Sequence, residues 1–204
     1  MISLLNKNNQ LSEEKNSLNI TYPRTVNIIF GQYPYPNIVH NFIPEIKSNL
    51  DPSMKNYTNV KGGMTDWNYF LDKPDFVNFI TYLINKHQTS HPNIFRHFLE
   101  KRTVQNAWGN EIKPGDSLTY HIHDCIHGIL YLTKGCELNL PELNLKITPE
   151  PGDYYVFPSN ILHGFDKNEE QQNRYSLIFN IVEKNAFDYS KKVEQKISHE
   201  RKNS

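Results

Sequence analysis

SLTYHIHDCIHGILYL (residues 117–132), PGDYYVFPSNILHG (151–164) and RYSLIFNIV (174–182) are the stretches of this chain in which fold and chemistry are written together. Each is short, rich in β-branched and aromatic side chains, and closed by Gly, Pro, Asn or Asp, the composition of a strand ended by a turn. Working outward, the same texture runs from about Thr103. It predicts strands over Val104 to Trp108, Ser117 to His123, Gly128 to Leu132, Leu138 to Leu140, Leu143 to Ile147, Tyr154 to Phe157 and Tyr175 to Val182. Lys113-Pro114-Gly115-Asp116, Lys134-Gly135, Pro149 to Asp153 and Pro158-Ser159-Asn160 punctuate them. Many short strands at close spacing point to a sandwich or a barrel.

Upstream the period changes from two to about 3.6. A strand over Thr25 to Phe30 is followed by Ile38, Val39, Phe42, Ile43, Ile46 and Leu50 at helical spacing, interrupted by Pro44. Pro74 and Asp75 open a second helix whose stripe is Phe76, Phe79, Ile80, Leu83 and Ile84. A third is expected from His91 to Glu100. Between them, Lys61-Gly62-Gly63-Met64-Thr65-Asp66-Trp67 reads as a loop whose adjacent glycines permit unusual backbone angles. Helices first and strands after is the α+β arrangement, with helices buttressing one side of a sheet. The expected organisation is a loose arm over 1–20, one domain over 21–183 (helical support 36–102, barrel core 103–183) and a charged tail over 184–204.

A chain of 204 residues is the size of one domain and can bury a substantial core. Its 22 Lys and Arg balance 22 Asp and Glu, so net charge carries no electrostatic footprint for nucleic acid or an acidic membrane. Cys125 and Cys136 do not make a disulfide framework and read as reduced thiols. No apolar run reaches the length of a membrane span, and Met1 to Gln10 lacks the apolar core of a signal peptide. The expectation is a soluble cytoplasmic protein with no membrane partner; its oligomeric state is left open.

The nine histidines are unevenly spread: His121, His123 and His127 fall close together and His163 stands on a later turn. Residues two apart in a strand share a face, so His121 and His123 project together while Ile122 points away. Two imidazoles on one face can grip a divalent ion, and His163 is the natural third donor if a closed sheet brings its turn alongside. Three protein donors on one side leave positions open, the logic of the non-haem Fe(II) facial triad, whose usual third donor is a carboxylate. His127 and His40 read as satisfied or solvent-facing, and Cys125 as a soft, oxidation-prone neighbour. Arg174 and Ser176 share a strand face, and a guanidinium beside a hydroxyl suits a carboxylate.

His121-Ile122-His123, Gly128 to Leu132, Pro151 to Ser159, His163 and Arg174 to Asn180, in this order and spacing, resemble a family of 2-oxoglutarate/Fe(II) oxygenases of bacteria and phages. The likeness covers roughly residues 103–182, and Lys61 to Trp67 is similar to that family's upstream loop. The resemblance implies a double-stranded β-helix, a jelly-roll or cupin-like barrel. It implies His121, His123 and His163 around Fe(II), with Arg174 and Ser176 on the distal carboxylate of 2-oxoglutarate. Asn106 and Tyr131 are further candidates for contact with that co-substrate. Where the wider superfamily has His-x-Asp or His-x-Glu, this chain has His-x-His followed by Asp124. Asp124 is therefore the alternative to His123, reachable if the strand ends early. The implied activity is O2-dependent hydroxylation of a small molecule, peptide or nucleobase. Two rivals are a cupin-like metalloenzyme that does not use 2-oxoglutarate and a jelly-roll binding or structural protein without chemistry. The apolar surroundings of the metal are expected from Ile122, Leu130, Phe157 and Phe179.

Overall fold

The computed structural model describes residues 2–4, 12–14, 17–22, 24–56, 61–135 and 137–185. In chain order the strands are β1 (Ile2–Leu4), β2 (Ser12–Glu14), β3 (Ser17–Tyr22), β4 (Arg24–Gln32), β5 (Gly63–Met64), β6 (Arg102–Ile112), β7 (Leu118–His121), β8 (Ile126–Tyr131), β9 (Leu138–Leu140), β10 (Leu145–Ile147), β11 (Asp153–Phe157), β12 (His163–Phe165) and β13 (Arg174–Glu183). The helices are α1 (Pro36–Ser48), α2 (Pro74–His87), α3 (Pro92–Phe95) and α4 (Phe98–Lys101). Part of the stretch expected as a loose arm is strand: β1 pairs with β10, and β2 and β3 form a hairpin that continues onto β4. Cys136 and the charged tail beyond residue 185 lie outside the described residues.

The strands form two antiparallel sheets, one ordered β1-β10-β9-β12-β7 and the other β2-β3-β4-β11-β8-β13-β6-β5. Alternation along β13 separates the layers. Tyr175, Leu177, Phe179 and Ile181 join the helix residues Phe42, Ile46, Phe76 and Phe79 in one core. Ile178 joins Trp108, Ile129, Phe157 and residues of the smaller sheet such as Leu138 and Leu145 in a second. The order is therefore helices, large sheet, small sheet, because a strand buried on both faces must supply apolar side chains at every position. Leu130 and Phe179 consequently face the helices, Ile122 is exposed, and of the four expected to surround the metal only Phe157 turns to the space between the sheets.

Several boundaries differ from those the sequence suggests. The helix expected over 91–100 is two short helices broken at His97, which sits in the left-handed region at φ 57°. Arg102 takes the carbonyls of Asn93 and Ile94, ending α3 where its last turn would otherwise continue. β6 runs past the expected end at Trp108 to Ile112, through Gly109. A side chain there would meet Ile46 of α1 at 2.3 Å, so the glycine lets α1 lie against the sheet rather than ending the strand. β7 stops at His121 instead of running to His123.

Candidate metal centre

β12 carries His163 directly opposite His121 of β7, so pairing between two strands far apart in sequence places the first two imidazoles. The third arrives differently. His123 lies beyond the end of β7, and its carbonyl accepts a hydrogen bond from the Asn160 N–H at 2.8 Å. The turn that precedes His163 thus also holds the backbone of His123. Asp124 is exposed. The candidate donor atoms of His121, His123 and His163 all lie within 4.8 Å of one another.

Backbone carbonyls orient two of these rings. His121 Nδ1 lies 2.8 Å from the Thr119 carbonyl and His163 Nδ1 lies 2.9 Å from the Ile161 carbonyl. A carbonyl only accepts, so each Nδ1 carries the proton and each Nε2 keeps its lone pair for the common point. His121 Nε2 is 3.1 Å from His123 Nε2. Two donors about 2.1 Å from one ion and at right angles to each other would be about 3.0 Å apart. The arrangement fits a divalent metal. Burial also keeps the rings neutral, as ligands must be. It pushes His163 down to about 3 and His123 down to about 4, and lowers His121. The neighbouring imidazoles push His163 and His123 the same way, while the Ile161 carbonyl opposes for His163 and Asp124 opposes for His123.

His127, read from the sequence as satisfied or solvent-facing, is satisfied, and its ring packs against the donor cluster. It is buried, its ring stacks on His123 at 3.8 Å between centroids and 10° between planes, and its Nδ1 lies 2.9 Å from Asn180 Oδ1. Asn180 accepts from Nδ1–H, which fixes the ring plane against which His123 lies. Spacing alone hid this, because 121, 123 and 127 share parity only along one continuous strand and the chain bends between β7 and β8. His127→Leu is expected to weaken metal binding about tenfold, within the range for residues that orient ligands. His127→Phe, which keeps a flat ring, should stay closer to wild type. A metal titration by calorimetry checks both, and equal affinities in all three proteins would show that the stack orients nothing.

The cluster opens into a cavity of about 110 Å³ lined by Met64, Trp67, Trp108, Asn110, Arg174, Ser176 and neighbouring apolar side chains. Arg174 is buried, with its guanidinium carbon 4.7 Å from the ring centres of both Tyr131 and Phe165. Tyr131 thus meets Arg174 with its ring face. Asn106 lies outside the cavity wall and donates to Asn68 Oδ1 at 3.0 Å. Asn110 takes the inward position instead, with Oδ1 buried and without a hydrogen-bond partner among the described residues. The period of two along β6 predicts that face, but a strand ending at Trp108 stops short of it. Thr65 docks the 61–67 loop: its Oγ1 accepts from Gly109 N–H at 3.0 Å and its own N–H donates to the Gly109 carbonyl at 3.0 Å. This seats Met64 and Trp67 in the cavity wall.

No protein-family model matches the chain, and no curated protein matches it by sequence. Solved structures share its fold. The viral collagen prolyl hydroxylase of Paramecium bursaria Chlorella virus-1, in complex with 2-oxoglutarate, superposes with a TM-score of 0.59 at 15% identity, over 76% of this chain and 94% of that one. A prolyl-4-hydroxylase of Pseudomonas putida gives 0.56 at 13%, over 76% and 91%. HygX of Streptomyces hygroscopicus, with nickel, 2-oxoglutarate and hygromycin B bound, gives 0.55 at 9%, over 76% and 82%. No helix among the described residues is long and apolar enough to cross a membrane.

Proposed function

We propose that this chain is a non-haem Fe(II)- and 2-oxoglutarate-dependent dioxygenase that hydroxylates its substrate. The observation that carries the reading is one cavity joining three converging imidazoles to a buried Arg174. The two sheets are the halves of a double-stranded β-helix, buttressed by α1 and α2, within one oxygenase domain that takes in β1 to β3 as well as the expected 21–183. His121, His123 and His163 hold Fe(II), with His123 taking the place of a carboxylate and Asp124 left in solvent. Arg174 and Ser176 hold the distal carboxylate of 2-oxoglutarate. Arg174 packs on Phe165, two residues along β12 from His163, and lines the same cavity as the three histidines. That suits a five-carbon diacid with one end at each. The fold neighbours whose structures contain 2-oxoglutarate support the same assignment.

When bound, Fe(II) with 2-oxoglutarate supplies O2 activation coupled to oxidative decarboxylation. The chain's own residues do the positioning. The Thr119 and Ile161 carbonyls aim Nε2 of His121 and His163, Arg174 fixes the far end of the co-substrate, and Trp67, Trp108 and Met64 exclude water. Anaerobic Fe(II) titration with and without 2-oxoglutarate tests the reading, through the visible charge-transfer band of the chelate. A band that needs both components is expected. Metal binding without the band would favour the cupin-like alternative that a three-histidine site also serves. A protein that takes up no metal would be a binding module.

A further inference from the structure

Charge does not balance at the metal end of this cavity. The donors are three imidazoles, neutral when they ligate. No Asp or Glu is among the described residues that line the cavity. Asp124 acts on His123 from the exposed side, weakened by water, and does not line the cavity. Glu111, buried on β6, accepts from Tyr175 Oη at 2.6 Å and Asn173 Nδ2 at 3.1 Å, and Lys113 pairs with it at 3.7 Å. It belongs to the opposite side of the strand from Asn110. Residues 57–60, next to the loop that walls the cavity, contain no acidic side chain.

A divalent ion with two histidines and a carboxylate carries one net positive charge, which the chelating carboxylate of 2-oxoglutarate cancels. With three histidines the same complex keeps one positive charge. The distal carboxylate does not alter this, because it is matched by Arg174. A net charge on a half-buried donor group set against Trp108, Phe157 and Ile178 is costly unless an opposite charge comes to it. Resting on the oxygenase reading, we propose that the substrate of this centre is an anion that brings a carboxylate beside the metal. His123, by replacing the carboxylate donor, is the residue that selects it.

The test uses the full chain loaded with Co(II) under saturating 2-oxoglutarate, with calorimetry to confirm that both are bound. The visible Co(II) spectrum is titrated with formate, azide, chloride and the neutral formamide, each added to chloride-free buffer. Formate and azide are expected to shift the spectrum saturably and formamide to leave it unchanged. His123→Asp restores charge balance and should weaken both anions at least tenfold while still binding 2-oxoglutarate. If it does not hold Co(II), His121→Asp makes the same change of charge. Anion affinities equal in wild type and variant would overturn the proposal and leave the oxygenase reading standing. Chloride binding as tightly as formate would assign the anion to solution and overturn the substrate assignment. Failure of wild type to bind 2-oxoglutarate would overturn both readings.

Discussion

Arg174→Ala is expected to abolish saturable 2-oxoglutarate binding in the accessible range while leaving metal affinity within about threefold of wild type. Removing one member of a buried charge pair costs about 2–5 kcal/mol, which is roughly thirtyfold to several thousandfold in affinity. Arg174 is buried between two aromatic rings, so the alanine variant also loses packing. Arg174→Lys separates the two effects. It keeps a charge and most of the stem but loses the planar fork, and should bind 2-oxoglutarate more weakly than wild type and more tightly than Arg174→Ala. Calorimetry on the metal-loaded protein reads both. Unchanged 2-oxoglutarate affinity in Arg174→Ala would remove the co-substrate from this end of the cavity.

His163→Ala should lose metal by more than a hundredfold, beyond the ten- to hundredfold typical of residues that only orient ligands. Asp124→Ala should change it by less than about threefold, because that carboxylate lies in solvent. The reverse result would make Asp124 the third donor. The pH dependence follows from the same burial. His123 and His163 titrate near 4 and 3 in the folded protein, against 6.5 for an ordinary imidazole. Metal affinity of the folded protein should then change by less than about tenfold between pH 7.5 and 5.5, where ordinary histidines would lose about tenfold per donor. Stability of the metal-free protein behaves differently. The unfolded chain takes up protons first, so the contribution present above about pH 6.5 is lost as pH falls towards 4 and 3. Thermal melts with and without metal across this window check the sign.

The face-sharing of Arg174 with Ser176 was legible because both lie in one uninterrupted strand, where a period of two needs no further information. The helix-side stripes of α1 and α2 were legible for the same reason at a period of 3.6. Boundaries were less so. Gly109 and the Arg96-His97 break look like ordinary strand ending and helix interior until the partner is known: Ile46 for the glycine, and Arg102 for the carbonyls that end α3. Strand β7 had the same weakness in the other direction, since its apolar alternation continues past the point where pairing with β12 stops.

The strand-rich second half, the layer that covers it, the shared face of Arg174 and Ser176, and a histidine group with a metal's donor chemistry can all be read from the residues in order. Those follow from local periodicity and from what side chains can do. Which histidines meet, and how, depends on the folded chain. His163 faces His121 through pairing across more than forty residues. Asn160 holds the carbonyl of His123, which no longer belongs to a strand. His127 stacks on His123 because Asn180 of β13 holds its ring. Each of these is a contact between segments remote in sequence, set by sheet order and register. A one-residue slip would turn every side chain of a strand to the other face, and nothing within a single strand specifies its neighbour.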